Sequence, residues 1–366
     1  MSSIPEHIAE VTLIGTGGGY GESCVIHLCD NNWIVIDSCI DPFTNESLPL
    51  KYLLDNNVNI ECDVKLVVCT HWHDDHILGL SQILSRAKSC DFIMARAHDR
   101  QKFLSFVSLD YEKAIYGHLL SSTLEFVNCL QIIEREGINI VLAGENKILF
   151  SNKRSSLCSQ VISLSPSDYV IMEFDKEIST MITEFGVTNK KVVIKKPNPK
   201  SVALYLKLGD HRVLLGSDLE YSNDPRTGWL NIIEYNNVID KKSNLFKVPH
   251  HGSINAFHDR IWIDLLDKNA IFCLTPFNKG KPLPEENMVD KMLDFTDSLF
   301  ITSMIKANSK SKKRSNRSIE KMIEKNRPSL TEIKYSYGAI NCQVDLTDPT
   351  SRWSVTTLGE GLKYKN

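Results

Sequence analysis

Apolar residues in this chain fall mostly in short alternating runs, broken by glycine and charged turns, with a few stretches at helical spacing. Alternation predicts strands at 11–14, 24–30 and 33–39, and an apolar run at 66–68 predicts another that ends at Thr70. Further strands are expected at 91–99, 147–150 and 160–164, the last closed by Pro166. Residues 201–220 read as a hairpin turning at Gly209 and Asp210, with its second arm ending in Gly216, Ser217 and Asp218. Strands at 244–253 and 270–277, a helix at 285–295 and closing strands at 339–344 and 353–357 complete the pattern. Helical spacing is found at 48–57 and again at 101–137, where Phe103, Phe106, Val107, Ile115, Leu119, Leu120, Leu124 and Val127 recur on one face. Strands mixed with helices in two successive halves predict an α/β (α+β) fold, a four-layer αββα sandwich with two sheets back to back. The expectation is one domain over 1–366, with a helical insertion at 101–137 and a basic segment at 306–327.

The stretch GTGGGYGES at 15–23 follows a strand and invites a dinucleotide reading. That motif requires a helix next, whereas CVIHLCD alternates like a strand, so the loop is a glycine turn between antiparallel strands.

Composition narrows the class. With 366 residues, 42% hydrophobic and 24% charged, the chain can bury a sizeable core. A net charge of −3 implies no polyanionic partner by itself, so phosphate binding would rest on local patches. There is no apolar run long enough for a membrane helix, and the first ten residues, MSSIPEHIAE, do not read as a secretory signal. Ten cysteines without CxxC spacing suit free thiols, and the expectation is a cytoplasmic protein with no membrane association.

The chemistry concentrates in LVVCTHWHDDHILGL, residues 66–80. His71, His73, Asp75 and His76 fall within six positions after a strand and before a helical segment. They account for three of the chain's eleven histidines. Imidazole and carboxylate are the ligand types of zinc and similar divalent ions. A second ion needs a bridging carboxylate and a further imidazole. Asp218 stands at one strand end, and His250 and His251 at another, with spacing leaving open which of the two binds metal. The expected metal ligands are therefore His71, His73, Asp75, His76, Asp218, His250 and His251, with Asp75, Asp218 and His251 as the catalytic set. One or two divalent ions are expected, zinc first, with manganese or magnesium as alternatives. An ion of this kind lowers the pKa of a bound water from 15.7 to about 7, supplying a nucleophile at neutral pH.

The pattern HxHxDH resembles the signature of the metallo-β-lactamase superfamily. The wider set resembles the nuclease domain of ComEC-type competence proteins: GTGGGYGES, WIVID, THWHDDHILGL, NPKSVALYLKLGDHRVLLGSDLE, KVPHHGS and YGAIN…WSVTTLG. The resemblance implies that Asp37, after an early strand, supports the metal loop. It departs from the superfamily at the usual third-motif histidine, which has no clear match: His98 comes too early and His118 sits in a helical stretch. Asn198 and Ser201 lie near the corresponding place and, with Ser253, are candidate substrate contacts.

Lys306, Lys310, Lys312, Lys313, Arg314, Arg317, Lys321, Lys325 and Arg327 face only two glutamates in 306–327. Lys312, Lys313, Arg314 and Arg317 are its candidate phosphate contacts, and Lys190, Lys191, Lys195, Lys196 and Lys200 form a second cluster. The expected function is a metal-dependent phosphodiesterase or nuclease acting on nucleic acid or a nucleotide. The alternatives are a hydrolase of a carboxyl ester, thioester, lactone or β-lactam, and a non-catalytic binding module on the same fold. A protein partner or a homo-oligomer would use the helical insertion.

Overall fold

The strand β4 (Val64–Cys69) sets the layer arrangement, because its side chains point alternately to two different cores. Leu66 and Val68 pack between two sheets, while Val67 and Cys69 pack under helices. The same alternation recurs across the molecule, which is a computed structural model describing residues 4–16, 21–98, 121–152, 157–188, 198–278, 281–305, 322 and 337–364.

The first sheet contains β1 (Ile8–Thr16), β2 (Gly21–His27), β3 (Trp33–Ile36), β4, β5 (Asp91–Ala95) and β6 (Asn139–Ala143). The second sheet begins with β7 (Lys147–Asn152), β8 (Ser159–Ser163), β9 (Leu204–Leu208) and β10 (His211–Leu215). It continues through β11 (Ser243–Lys247), β12 (Leu266–Leu274) and β13 (Leu299–Ile301). β14 (Tyr337–Asp345) and β15 (Ser354–Gly359) return to the first sheet, and β16 (Leu362–Lys363) closes the second. The two orders are β15-β14-β1-β2-β3-β4-β5-β6 and β16-β13-β12-β11-β10-β9-β8-β7.

Each sheet holds four successive parallel strands, β3 to β6 in one and β10 to β13 in the other. Parallel strands send all their C-terminal loops to one edge, where ligands of open α/β sheets collect. Between the sheets lie Val11, Leu13, Ile26, Ile34 and Ile93 from one side and Leu206, Val213 and Leu245 from the other. Outside the first sheet, helices Leu48–Asp55 and Ser121–Glu136 bury Leu53, Phe126, Cys129 and Ile133. Outside the second, helices Gly228–Tyr235, Asp259–Leu265 and Glu286–Phe295 bury Trp229, Ile261, Trp262 and Met292. Burying a side chain of this size contributes about 1.5–3 kcal/mol. The four layers are those expected from the sequence.

The hairpin turning at Gly209 is present, with β9 and β10 antiparallel. Several elements were not expected. The longest is the helix Asp168–Thr188, whose Ser167 hydroxyl accepts the Val170 N–H just after Pro166. Of the insertion, residues 101–120 lie outside the described residues. The helix Ser121–Glu136 is part of the outer layer, tied to the metal loop by the Ser122 N–H donating to Asp74 at 2.7 Å. The basic segment lies outside the described residues apart from Met322, so Lys312, Lys313, Arg314 and Arg317 have no structural description. Lys190, Lys191, Lys195 and Lys196 lie outside it as well. Lys200 does not join a phosphate-tracking patch: it is buried and donates to Glu177 at 3.2 Å. None of the ten cysteines is in a disulfide. No helix among the described residues is long and apolar enough to cross a membrane.

Candidate metal centre

Four strand ends deliver the polar residues to one place. β3 runs into Asp37, β4 into His71–His76, β10 into Asp218, and β11 into His250 and His251. Loops, rather than the strands, can turn these side chains toward each other, and the backbone bends to do it. Asp37, Ser217, His250 and His251 all have positive φ. Two consecutive non-glycine residues in the left-handed region are costly, at about 1–3 kcal/mol each, and such strain clusters at functional sites. Here it brings two adjacent imidazoles to the same centre, their ring centroids 6.4 Å apart. Gly21 meets a different need: a Cβ there would lie 2.2 Å from the Asp75 carbonyl oxygen, so only glycine lets β2 pass this close to the metal loop.

The donor atoms form two pockets. In the first, His71 Nε2 lies 3.1 Å from His73 Nδ1 and 3.7 Å from Asp218 Oδ2. In the second, Asp75 Oδ2 lies 3.3 Å from His251 Nε2 and 4.0 Å from His76 Nε2. Asp218 Oδ1 lies 3.3 Å from His76 Nε2, so one carboxylate faces both pockets. Within each of the triads His71/His73/Asp218 and Asp75/His76/His251, the ligand atoms lie within 4.8 Å of one another. His76 Nε2 and Asp218 Oδ1 are buried and have no hydrogen-bond partner. Buried polar atoms are normally satisfied, so orphaned donors converging at these spacings fit a divalent cation with N and O ligands.

Neighbours fix the rings. Asp37 Oδ2 lies 2.8 Å from His76 Nδ1, and Asp37 also accepts from the Thr70 N–H at 2.8 Å and the Thr70 hydroxyl at 2.6 Å. The Thr275 carbonyl lies 2.9 Å from His251 Nδ1. Partners of this kind orient imidazole ligands and set which nitrogen is free. His250 differs from His251. It is half-buried, its Nε2 accepts from Asn198 Nδ2 at 3.2 Å, and its Nδ1 lies 3.6 Å from Glu220.

Electrostatics divide the imidazoles. Burial, reinforced by the neighbouring His76, holds His71 well below its ordinary value, leaving a neutral ring with a free lone pair. Burial opposes charge on His76 too, but Asp218, Asp75 and Asp37 outweigh it and raise that ring well above its ordinary value. Burial works against a charged Asp218, yet His76, His251 and His71 hold its carboxyl well below the usual range. The negative charge thus stays at the junction of the two pockets.

The structure brings His71, His73, Asp75, His76, Asp218 and His251 into the two pockets. It puts Asp37 behind His76, and His250 and Asn198 at the rim. Ser253 and Ser201 are buried in the loops behind the rim. The Ser253 hydroxyl accepts the Asn255 N–H at 3.3 Å and caps a short turn, and Ser201 is fully buried. Four neighbours escaped the sequence reading: Glu22, Lys247, Glu220 and Thr70. Glu22 follows the glycine turn and Lys247 precedes the double histidine, so their proximity to already suspect motifs was the available signal.

Residues 17–102, which contain Glu22, Asp37 and the whole His71–His76 cluster, match the family model described as "Metallo-beta-lactamase superfamily". No curated protein matches the chain by sequence. Among solved structures, the chain is similar to the metallo-β-lactamase fold protein YhfI from Bacillus subtilis at 11% identity and a TM-score of 0.42, covering 82% of this chain and 98% of that one. It is also similar to a putative metallo-β-lactamase from Thermotoga maritima (14% identity, TM-score 0.34, 58% of this chain and 79% of that one). A third likeness is to Zn(2+)-bound PqqB from Methylobacterium extorquens (10% identity, TM-score 0.33, 65% and 71%).

Proposed function

We propose that this chain, which has the metallo-β-lactamase fold, is a metal-dependent hydrolase that cleaves phosphodiesters in a nucleic acid or a nucleotide. The observation that carries the hydrolase reading is the pair of donor pockets sharing Asp218. His71, His73 and Asp218 would hold one divalent ion, and Asp75, His76, His251 and Asp218 a second. When bound, such ions acidify water to serve as nucleophile and offset charge developing on the attacked group.

The chain's own part is orientation. Asp37 and the Thr275 carbonyl hold His76 and His251 with one nitrogen each toward the pockets. His250, with 20% of its side chain exposed, stands at the rim between Asn198 and Glu220, where it can touch a substrate that the inner residues cannot reach. Phosphodiester as the bond cleaved is supported by the ComEC-like motif set and by the basic composition of 306–327. Zinc is the first choice of ion by ligand type, with manganese and magnesium behind it.

Two measurements test this reading. Bis-p-nitrophenyl phosphate is expected to be hydrolysed with Mn²⁺ or Zn²⁺ and not after chelation, while a chromogenic β-lactam is left intact. The reverse pattern moves the substrate to carbonyl compounds, and no turnover of either leaves a binding module. For a polymer substrate, replacing Lys312, Lys313, Arg314 and Arg317 by Gln is expected to weaken binding. It should also flatten the dependence of log K on log salt, by about 0.9 per lost contact for duplex and about 0.7 for single strands. An unchanged slope points to a small-molecule substrate.

A further inference from the structure

Two oppositely charged residues meet between the sheets beside the second pocket. Glu22 on β2 is 3% exposed and Lys247 on β11 is 4% exposed, and their side chains form an ion pair. Lys247 Nζ also donates to the Ser217 carbonyl at 3.1 Å, which ties the same ammonium to the loop carrying Asp218. Glu22 Oε1 lies 4.0 Å from His76 Nε2. Glu22 Oε2 has no hydrogen-bond partner and lies 4.0 Å from His251 Nδ1. The ligand atoms of Glu22, His76 and Asp218 all lie within 4.8 Å of one another. A small cavity of about 20 Å³ adjoins the pair, lined in part by Glu22, Asp37, Thr70, Ser217 and Lys247. A buried ion pair is a weak source of stability, because desolvating two charges offsets most of their attraction. Beside a cation pocket it has an electrostatic consequence instead.

We propose that Glu22 is a further metal-ligand carboxylate of the second pocket, masked by Lys247, and that the pair sets how tightly that pocket holds a divalent cation. The proposal rests on the two-pocket reading above. Asp75, Asp218 and Glu22 are three carboxylates, and Lys247 reduces their combined charge to −2. Removing the ammonium alone leaves −3 and frees Glu22 to ligate. Removing the Glu22 carboxylate alone leaves −1, with an unpaired ammonium beside the pocket. Removing both restores −2. Affinity for the second ion must therefore move in opposite directions in the two single variants and return in the double variant. A merely structural salt bridge has no reason to produce that sign pattern.

The test is titration of the chelator-stripped full chain with Mn²⁺, counting free ion by electron paramagnetic resonance, with circular dichroism as the check on folding. Lys247→Met is expected to tighten the second dissociation constant by about tenfold, the size of a close charge change in a partly screened interior. Glu22→Gln is expected to weaken it by about as much. Glu22→Gln with Lys247→Met should return to within a few-fold of wild type, as should the first dissociation constant throughout. Second-ion binding that is unchanged or weaker in Lys247→Met overturns the proposal, as does a double variant as weak as Glu22→Gln alone. If Lys247→Met does not fold, the comparison of Glu22→Gln with the double variant decides by itself. A wild type that binds no Mn²⁺ overturns the two-pocket reading and this proposal together. A wild type that binds two ions with no response in the variants overturns this proposal only.

Discussion

Asp218→Ala is expected to lower turnover of a phosphodiester by at least about 10³-fold, the scale seen when a group on which the whole reaction depends is removed. The geometry gives the reason. Oδ2 stands 3.7 Å from His71 Nε2 in the first pocket and Oδ1 stands 3.3 Å from His76 Nε2 in the second. One side chain therefore serves both pockets, and its loss disables both. Removing it also takes away one of the buried carboxylates that face His76, at 3.3 Å from Nε2, which costs about 1–3 kcal/mol of stability. Asp218→Asn keeps the shape and removes only the charge, so it separates folding from chemistry. Turnover at saturating Mn²⁺, measured beside thermal unfolding for both variants, checks the expectation. Near-wild-type turnover in Asp218→Ala would make this residue an ordinary turn aspartate.

The extent to which the sequence foretold this arrangement depends on how local each signal is. Layers were legible because strands mixed with helices recur in two successive halves; the apolar run at 66–68 did not show that β4 sends Leu66 and Val68 to one core and Val67 and Cys69 to the other. The metal loop was legible because its ligands share six positions. His250 and His251 could not be told apart, since both follow the same strand. What separates them is a left-handed backbone at two consecutive residues, which residue type does not announce for histidine. Glu22 and Lys247 were missed for a different reason. In sequence each is one charged position in an alternating strand, normally a solvent-facing one. Both strands, however, are buried on both faces, and only the facing of the two sheets pairs them. The helix Asp168–Thr188 had a local signal, Ser167 as a cap directly after Pro166, but the strand before it drew the reading to a stop at the proline.

The two pockets predict separable metal losses. Replacing His71 and His73 together by Ala removes two of the first pocket's three close donors and leaves Asp75, His76, His251 and Asp218 in the second. Elemental analysis is expected to find the first ion gone and a folded protein remaining. Folding survives because the strand carrying these residues is held by Leu66, Val67 and Val68 in the two cores, not by the rings. Some stability is still lost, since His71 is fully buried with its ring centroid 4.3 Å from that of His76, and truncating it opens a cavity. The matched variant, Asp75→Ala with His251→Ala, empties the other pocket: it removes the two groups at 3.3 Å and leaves His71, His73 and Asp218 in place. Each double variant should therefore retain the ion that the other loses. Unchanged metal content in either one would sink the assignment of that pocket, and complete loss in both would mean that neither ion stays bound without the other.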